Sequence, residues 1–214
     1  ANKDMAKRTA ASFAVVIIFL IFVFATPSYQ DHPGTVILFG ILLVLSVAAR
    51  VAAAKSGHSD DDLASPAWIR NYSLATIFMG LVWAGFLGAT FVHYKSEWVF
   101  LLLVLSTAGI ASAATSSLAP NPMLARIYVN IMVVPIIFMG LAGMTRVSLT
   151  LSGLLCLFVG ALQIMIRDSS RQLMGGLTTI ENLNWQKADL EGVVEEIGRS
   201  SAQLKDASTG LSSI

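Results

Sequence analysis

Charge is what this sequence has least of: Asp, Glu, Lys and Arg make up 13% of its 214 residues, against about 25% in a water-soluble domain. Apolar residues fill 55% of the chain, so lipid is the expected solvent for most of it. Cysteine is nearly absent too. Cys156 stands alone, which excludes an internal disulfide, and its place inside an apolar run makes it an expected small packing residue. No Cys/His spacing typical of a metal site occurs, so the sequence assigns no metal, and it identifies no cofactor. The basic residues do not gather on one stripe, which excludes nucleic acid as a partner; they stand beside the ends of apolar runs, as a topology signal.

Those runs are Thr9–Ala25, Thr35–Ala54, Ser73–Phe91, Trp98–Ser117, Ile127–Gly143 and Ser148–Ile166. Each reaches or approaches the roughly 20 residues that cross about 30 Å of hydrocarbon at about 1.5 Å per residue. The first is read as a retained helix rather than a cleaved signal, because it is long enough to span and ends in Thr-Pro-Ser-Tyr instead of a small-x-small site. Lys3, Lys7, Arg8, Arg50, Lys55, Arg70, Arg126, Arg167 and Arg171 fall on one side, and Lys95 and Arg146 on the other. By the positive-inside rule both termini are cytoplasmic. Three short connections then face outward, none long enough for a folded external domain.

Ionisable residues are also missing from the depth of the six runs. Ion-coupled transport and intramembrane proteolysis both need such groups at mid-membrane depth, so both are weak readings. Small residues recur there instead. Gly80, Ala84 and Gly88 share one helix face and Gly109 and Ala113 another, a spacing read as packing seams. Pro135 interrupts the fifth run and predicts a kink.

Two groups of polar and aromatic residues are candidate ligand sites. On the outer side, Asp31 and His32 from one connection and His93, Tyr94 and Glu97 from the next can bind a cation or polar ligand, and imidazoles titrate near neutral pH; the competing reading is an interfacial belt. Between helices, Trp83, Trp98, Tyr128 and Asn130 are candidates to frame a pocket for a quinone or lipid, with ordinary packing as the competing reading. The acidic run Asp60–Asp62 lacks the spacing of a calcium loop and is read as a solvated loop.

Past Arg167 the composition turns amphipathic. Leu183, Leu190, Ile197, Leu204 and Leu211 repeat at seven-residue intervals, with Ile180, Lys187 and Val194 in the companion series. This heptad seam predicts a parallel pair formed with a second copy of the chain. Glu191, Glu195 and Glu196 argue against a helix lying on the membrane surface, which favours lysine and arginine. The seam runs almost to Ile214 without a capping glycine or proline, so the chain is expected to continue as a stalk. The fold class expected is all-α: a polytopic six-helix transmembrane bundle over residues 1–170, followed over 171–214 by a cytoplasmic parallel coiled-coil helix.

The stretch from Gly80 to Gly88, that from Ala108 to Pro120, and Tyr128 with Pro135 together resemble the six-helix membrane input module of bacterial sensor histidine kinases and diguanylate cyclases. Residues 194–214 resemble the Ser/Ala-rich helix that opens the signalling domain of methyl-accepting chemotaxis proteins. The resemblance implies a non-enzymatic receptor of the bacterial inner membrane. Its membrane part would bias a cytoplasmic helical bundle that controls a histidine kinase through an adaptor. A kinase-contact tip and a phospho-accepting histidine region are absent from these residues. Two rival readings are the input part of a histidine kinase or diguanylate cyclase, and a small-solute transporter.

Overall fold

The computed structural model describes residues 11–56, 65–95 and 97–211, with side chains described as far as residue 172 and at 175, 176, 185–187 and 190 beyond it. Helix takes 92% of it, without a strand among the described residues, so the chain is all-α. The elements are α1 (Ala11–Ala25), α2 (Ser28–Asp31), α3 (Pro33–Lys55), α4 (Pro66–Tyr94), α5 (Trp98–Ser117), α6 (Pro122–Gly143) and α7 (Arg146–Leu211). Two compact units divide the chain, residues 1–170 and 171–214. Five helical segments are long and apolar enough to cross a membrane: α3, α4, α5, α6 and the part of α7 from Arg146 to Gln172. The expected first span is represented by α1, whose 15 residues rise about 22 Å, short of the hydrocarbon thickness.

Local chemistry sets the helix starts. Pro33, Pro66 and Pro122 each occupy a first-turn position, where the missing N–H costs nothing and φ is already helical. The Ser65 hydroxyl accepts from the Trp68 N–H at 3.2 Å, and the Asn121 side chain accepts from the Leu124 N–H at 3.1 Å. These caps extend α4 and α6 upstream of their apolar runs, to Pro66 rather than Ser73 and to Pro122 rather than Ile127. At the start of α7, Thr145 and Ser148 cap reciprocally: the Thr145 N–H donates to Ser148 Oγ at 3.0 Å and the Ser148 N–H to Thr145 Oγ1 at 3.1 Å. That is the geometry of a capping box.

The core of the first unit is built around α4. Phe86 receives the edges of Phe19 and Phe22 from α1, with ring centroids 5.1 and 5.6 Å away. Trp83 is buried and donates through Nε1–H to Thr107 Oγ1 on α5 at 2.9 Å. Gly80 leaves room for the Tyr128 ring of α6, which a Cβ there would meet at 3.1 Å. Gly140 of α6 lies so close to α7 that a Cβ would run into the Ser152 hydroxyl, which itself donates to the Ile137 carbonyl at 3.2 Å and the Ser148 carbonyl at 2.9 Å. Hydroxyls inside the helices mostly donate back one turn, as Thr76 does to the Tyr72 carbonyl at 2.8 Å and Thr90 to the Phe86 carbonyl at 2.9 Å.

Two expectations change on contact with these packing relations. Cys156 is exposed on α7, not packed inside, so its apolar run sits partly on the outer surface. A Cβ at Gly109 would meet nothing within 4 Å; the small residues of α5 leave a space there rather than a tight seam. Helix α6 continues through Pro135 as one element. The seam side chains Ile180, Leu183, Val194, Ile197, Leu204 and Leu211, and the acidic run Asp60–Asp62, lie outside the described residues.

Candidate functional site

Polar chemistry collects at both ends of α3. At its first turn, His32 stacks on His93 from the last turn of α4, with ring centroids 3.7 Å apart and planes 21° from parallel. The Tyr94 ring meets His32 edge-on at 5.9 Å, and its hydroxyl donates to Asp31 Oδ2 at 2.8 Å. Four of the five residues expected on this side are therefore brought into one group. Glu97 stands exposed as the N-cap of α5. The space these side chains enclose with Ser28, Thr35, Phe86 and Thr90 is about 10 Å³, room for about one water. The group is filled by its own rings. Among the described residues no set of three or more His, Cys, Asp and Glu is placed to hold a metal ion.

The stacked rings tie the start of α3 to the end of α4.

The second expected pocket is not assembled. Trp83 is buried against Thr107, Trp98 is exposed at the first position of α5, and Asn130 is exposed and accepts from Gln163 Nε2 of α7 at 3.2 Å. Of the four, only Tyr128 borders a cavity among those described.

That cavity holds the residue that sequence reasoning passed over. Arg50, near the end of α3, is 4% exposed. Its guanidinium donates to the Tyr72 hydroxyl from Nη2 at 3.0 Å and from Nε at 3.3 Å. Trp68 stacks behind Tyr72 at 5.2 Å and 15°, steadying that acceptor. Around Arg50 opens a cavity of about 60 Å³, bounded by Ser12 and Ala14 of α1, Met79 of α4, Gly109, Ala113 and Ser117 of α5, and Tyr128 of α6. The Ser12 hydroxyl is buried without a hydrogen-bond partner. By sequence Arg50 is one more basic residue flanking an apolar run. The signal that it turns inward was available in part: a buried cation needs an acceptor, and Tyr72 and Tyr128 each stand six residues after a helix-starting proline.

No protein-family model matches the chain, and no curated protein or solved structure matches it either.

Proposed function

We propose that the chain is the membrane input part of a bacterial sensory transducer, in which a six-span bundle biases a dimeric cytoplasmic helix that controls a kinase. The observation that carries this reading is α7: one element, Arg146–Leu211, bears both a membrane-apolar segment and the heptad stretch. A relay needs such an extension to carry a change from the membrane part to the cytoplasmic part. Leu190, the one leucine of the seam with a described side chain, is 68% exposed in the single chain, as a position awaiting a second copy would be.

In this proposal α1 is the sixth span and both termini are cytoplasmic. Support for the span comes from its two faces: Val15, Phe19 and Phe22 join the core, while Phe13, Ile17, Ile21 and Phe24 are exposed and apolar, a surface suited to lipid rather than water. The stacked histidines at the opposite side supply the input. Partners are a second copy of the chain, membrane lipid, and a histidine kinase with its adaptor.

Disulfide trapping tests the relay. In a Cys156→Ser background, single cysteines replacing Leu190, Ile197 and Leu204 are expected to cross-link across the dimer under mild oxidation, and those replacing Glu191 and Gly198 about tenfold less. Equal yields at all five positions, or a monomer in native mass spectrometry, would end the dimeric reading.

The input has its own test. In the His32→Ala/His93→Ala pair the cross-linking yield at position 190 is expected to differ severalfold from the parent while expression holds. An unchanged yield places the input elsewhere.

A further inference from the structure

The cavity at Arg50 plays no part in that relay, yet it is built as a binding site. Arginine is a permanent cation with five N–H donors, and among the described residues this one meets a neutral phenol and no carboxylate within ion-pair distance. A cation so deeply buried calls for an anion. Two more donors border the same space from other directions. Ser12 of α1 lines it, with a hydroxyl that is buried and unpartnered; Tyr128 borders it from α6, with no protein hydrogen bond to its hydroxyl among the described residues.

The arrangement of donors selects the ligand chemistry. A guanidinium fork and two hydroxyls, brought from three helices, suit a tetrahedral group with several oxygens better than a planar carboxylate with two. The route in is sideways. Gly109 and Ala113 of α5 and Ala14 of α1 are exposed and carry little or no side chain, so the cavity opens between α1 and α5. Arg50 stands five residues before Lys55, where α3 ends, about 7.5 Å along the helix axis. That depth is near the headgroup layer rather than the bilayer centre. We propose that this cavity binds a phosphate group, held by Arg50 with the Ser12 and Tyr128 hydroxyls and admitted between α1 and α5.

An anionic phospholipid and free phosphate both carry this group, and the experiment separates them. The full chain is purified in mild detergent and its bound phospholipid counted by native mass spectrometry. Its thermal unfolding is followed with inorganic phosphate, with phosphatidylglycerol, and with diacylglycerol of the same chains. The expected result is one retained phospholipid and a midpoint raised by phosphatidylglycerol but not by diacylglycerol. A midpoint raised by inorganic phosphate alone keeps the phosphate site and makes its source soluble. Arg50→Gln should weaken either response about tenfold, and Tyr128→Phe, which keeps the ring over Gly80, severalfold. Gly109→Leu guards against misfolding of the Arg50 variant. Its side chain starts in open space and fills the entrance, so it should abolish binding while the unliganded midpoint holds. The proposal is overturned if neither phosphate nor phosphatidylglycerol moves the midpoint, or if Gly109→Leu and Arg50→Gln respond as the parent does.

Discussion

Gly140→Ala is expected to destabilise the membrane bundle by about 1–3 kcal/mol, the usual cost of an added methyl in a packed interior, although alanine is the better helix former. The new Cβ would overlap the Ser152 hydroxyl and crowd the Ser148 carbonyl, which lies 3.0 Å from its position. Neither neighbour yields easily, because Ser152 Oγ is held by two carbonyls and the Ser148 carbonyl is backbone. Gly153→Ala is the matched control, since a Cβ there meets nothing within 4 Å, and it should leave stability unchanged or slightly raised. Unfolding followed by circular dichroism in mixed micelles reads both. Adding Ser152→Ala should make the double variant less destabilised than the sum of the singles by more than about 0.5 kcal/mol, as residues in direct contact do. Additive costs would mean that α6 and α7 do not meet at this pair.

Trp83→Ala is expected to cost about 3–5 kcal/mol by the same measurement. Its indole is 1% exposed and packs edge-on against Phe86, with centroids 6.2 Å apart. Within a bilayer the cost comes from lost contacts and the void rather than from water, because lipid chains are as apolar as the core. Trp83→Phe separates packing from hydrogen bonding. It should lose only about 1 kcal/mol, since the Thr107 hydroxyl still donates to the Leu103 carbonyl at 2.8 Å. Trp98→Ala, at an exposed position, should stay within about 0.5 kcal/mol of the parent. If Trp98→Ala costs as much as Trp83→Ala, the core is not centred on α4.

The apolar runs were readable because lipid imposes a length and a composition on each helix. Residues Trp98–Ser117 are both the expected run and the observed α5. The caps at Ser65 and Asn121 were equally present in the sequence, but hydropathy outweighed them, and α4 and α6 begin a turn or more earlier than their apolar content suggests. His32 and His93 were legible as neighbours because they sit at the facing ends of two connections. Their stacking was not, since it depends on how α3 and α4 rotate about their axes. The same rotation hid the cavity. Arg50, Ser12 and Tyr128 are far apart in sequence, and helical phase alone cannot say that all three border one space. It was equally unable to say that Trp98 and Asn130 turn away from Trp83.

The back-bonded hydroxyls of α4 bear on how the chain is made. Membrane helices leave the translocation machinery in order of synthesis, so α4 enters lipid before α5 and α6, the helices that later surround it. For that interval Thr76 and Thr90 sit in a bundle that α5 and α6 have not yet closed. Because each already donates to a carbonyl of its own helix, at 2.8 and 2.9 Å, neither must wait for a partner to be satisfied. Trp83 differs, for its indole N–H depends on Thr107 of a helix not yet synthesised. A nascent chain stalled after α4 should therefore be membrane-integrated but open to chaperones at Trp83, and should lose that exposure once residue 107 has emerged.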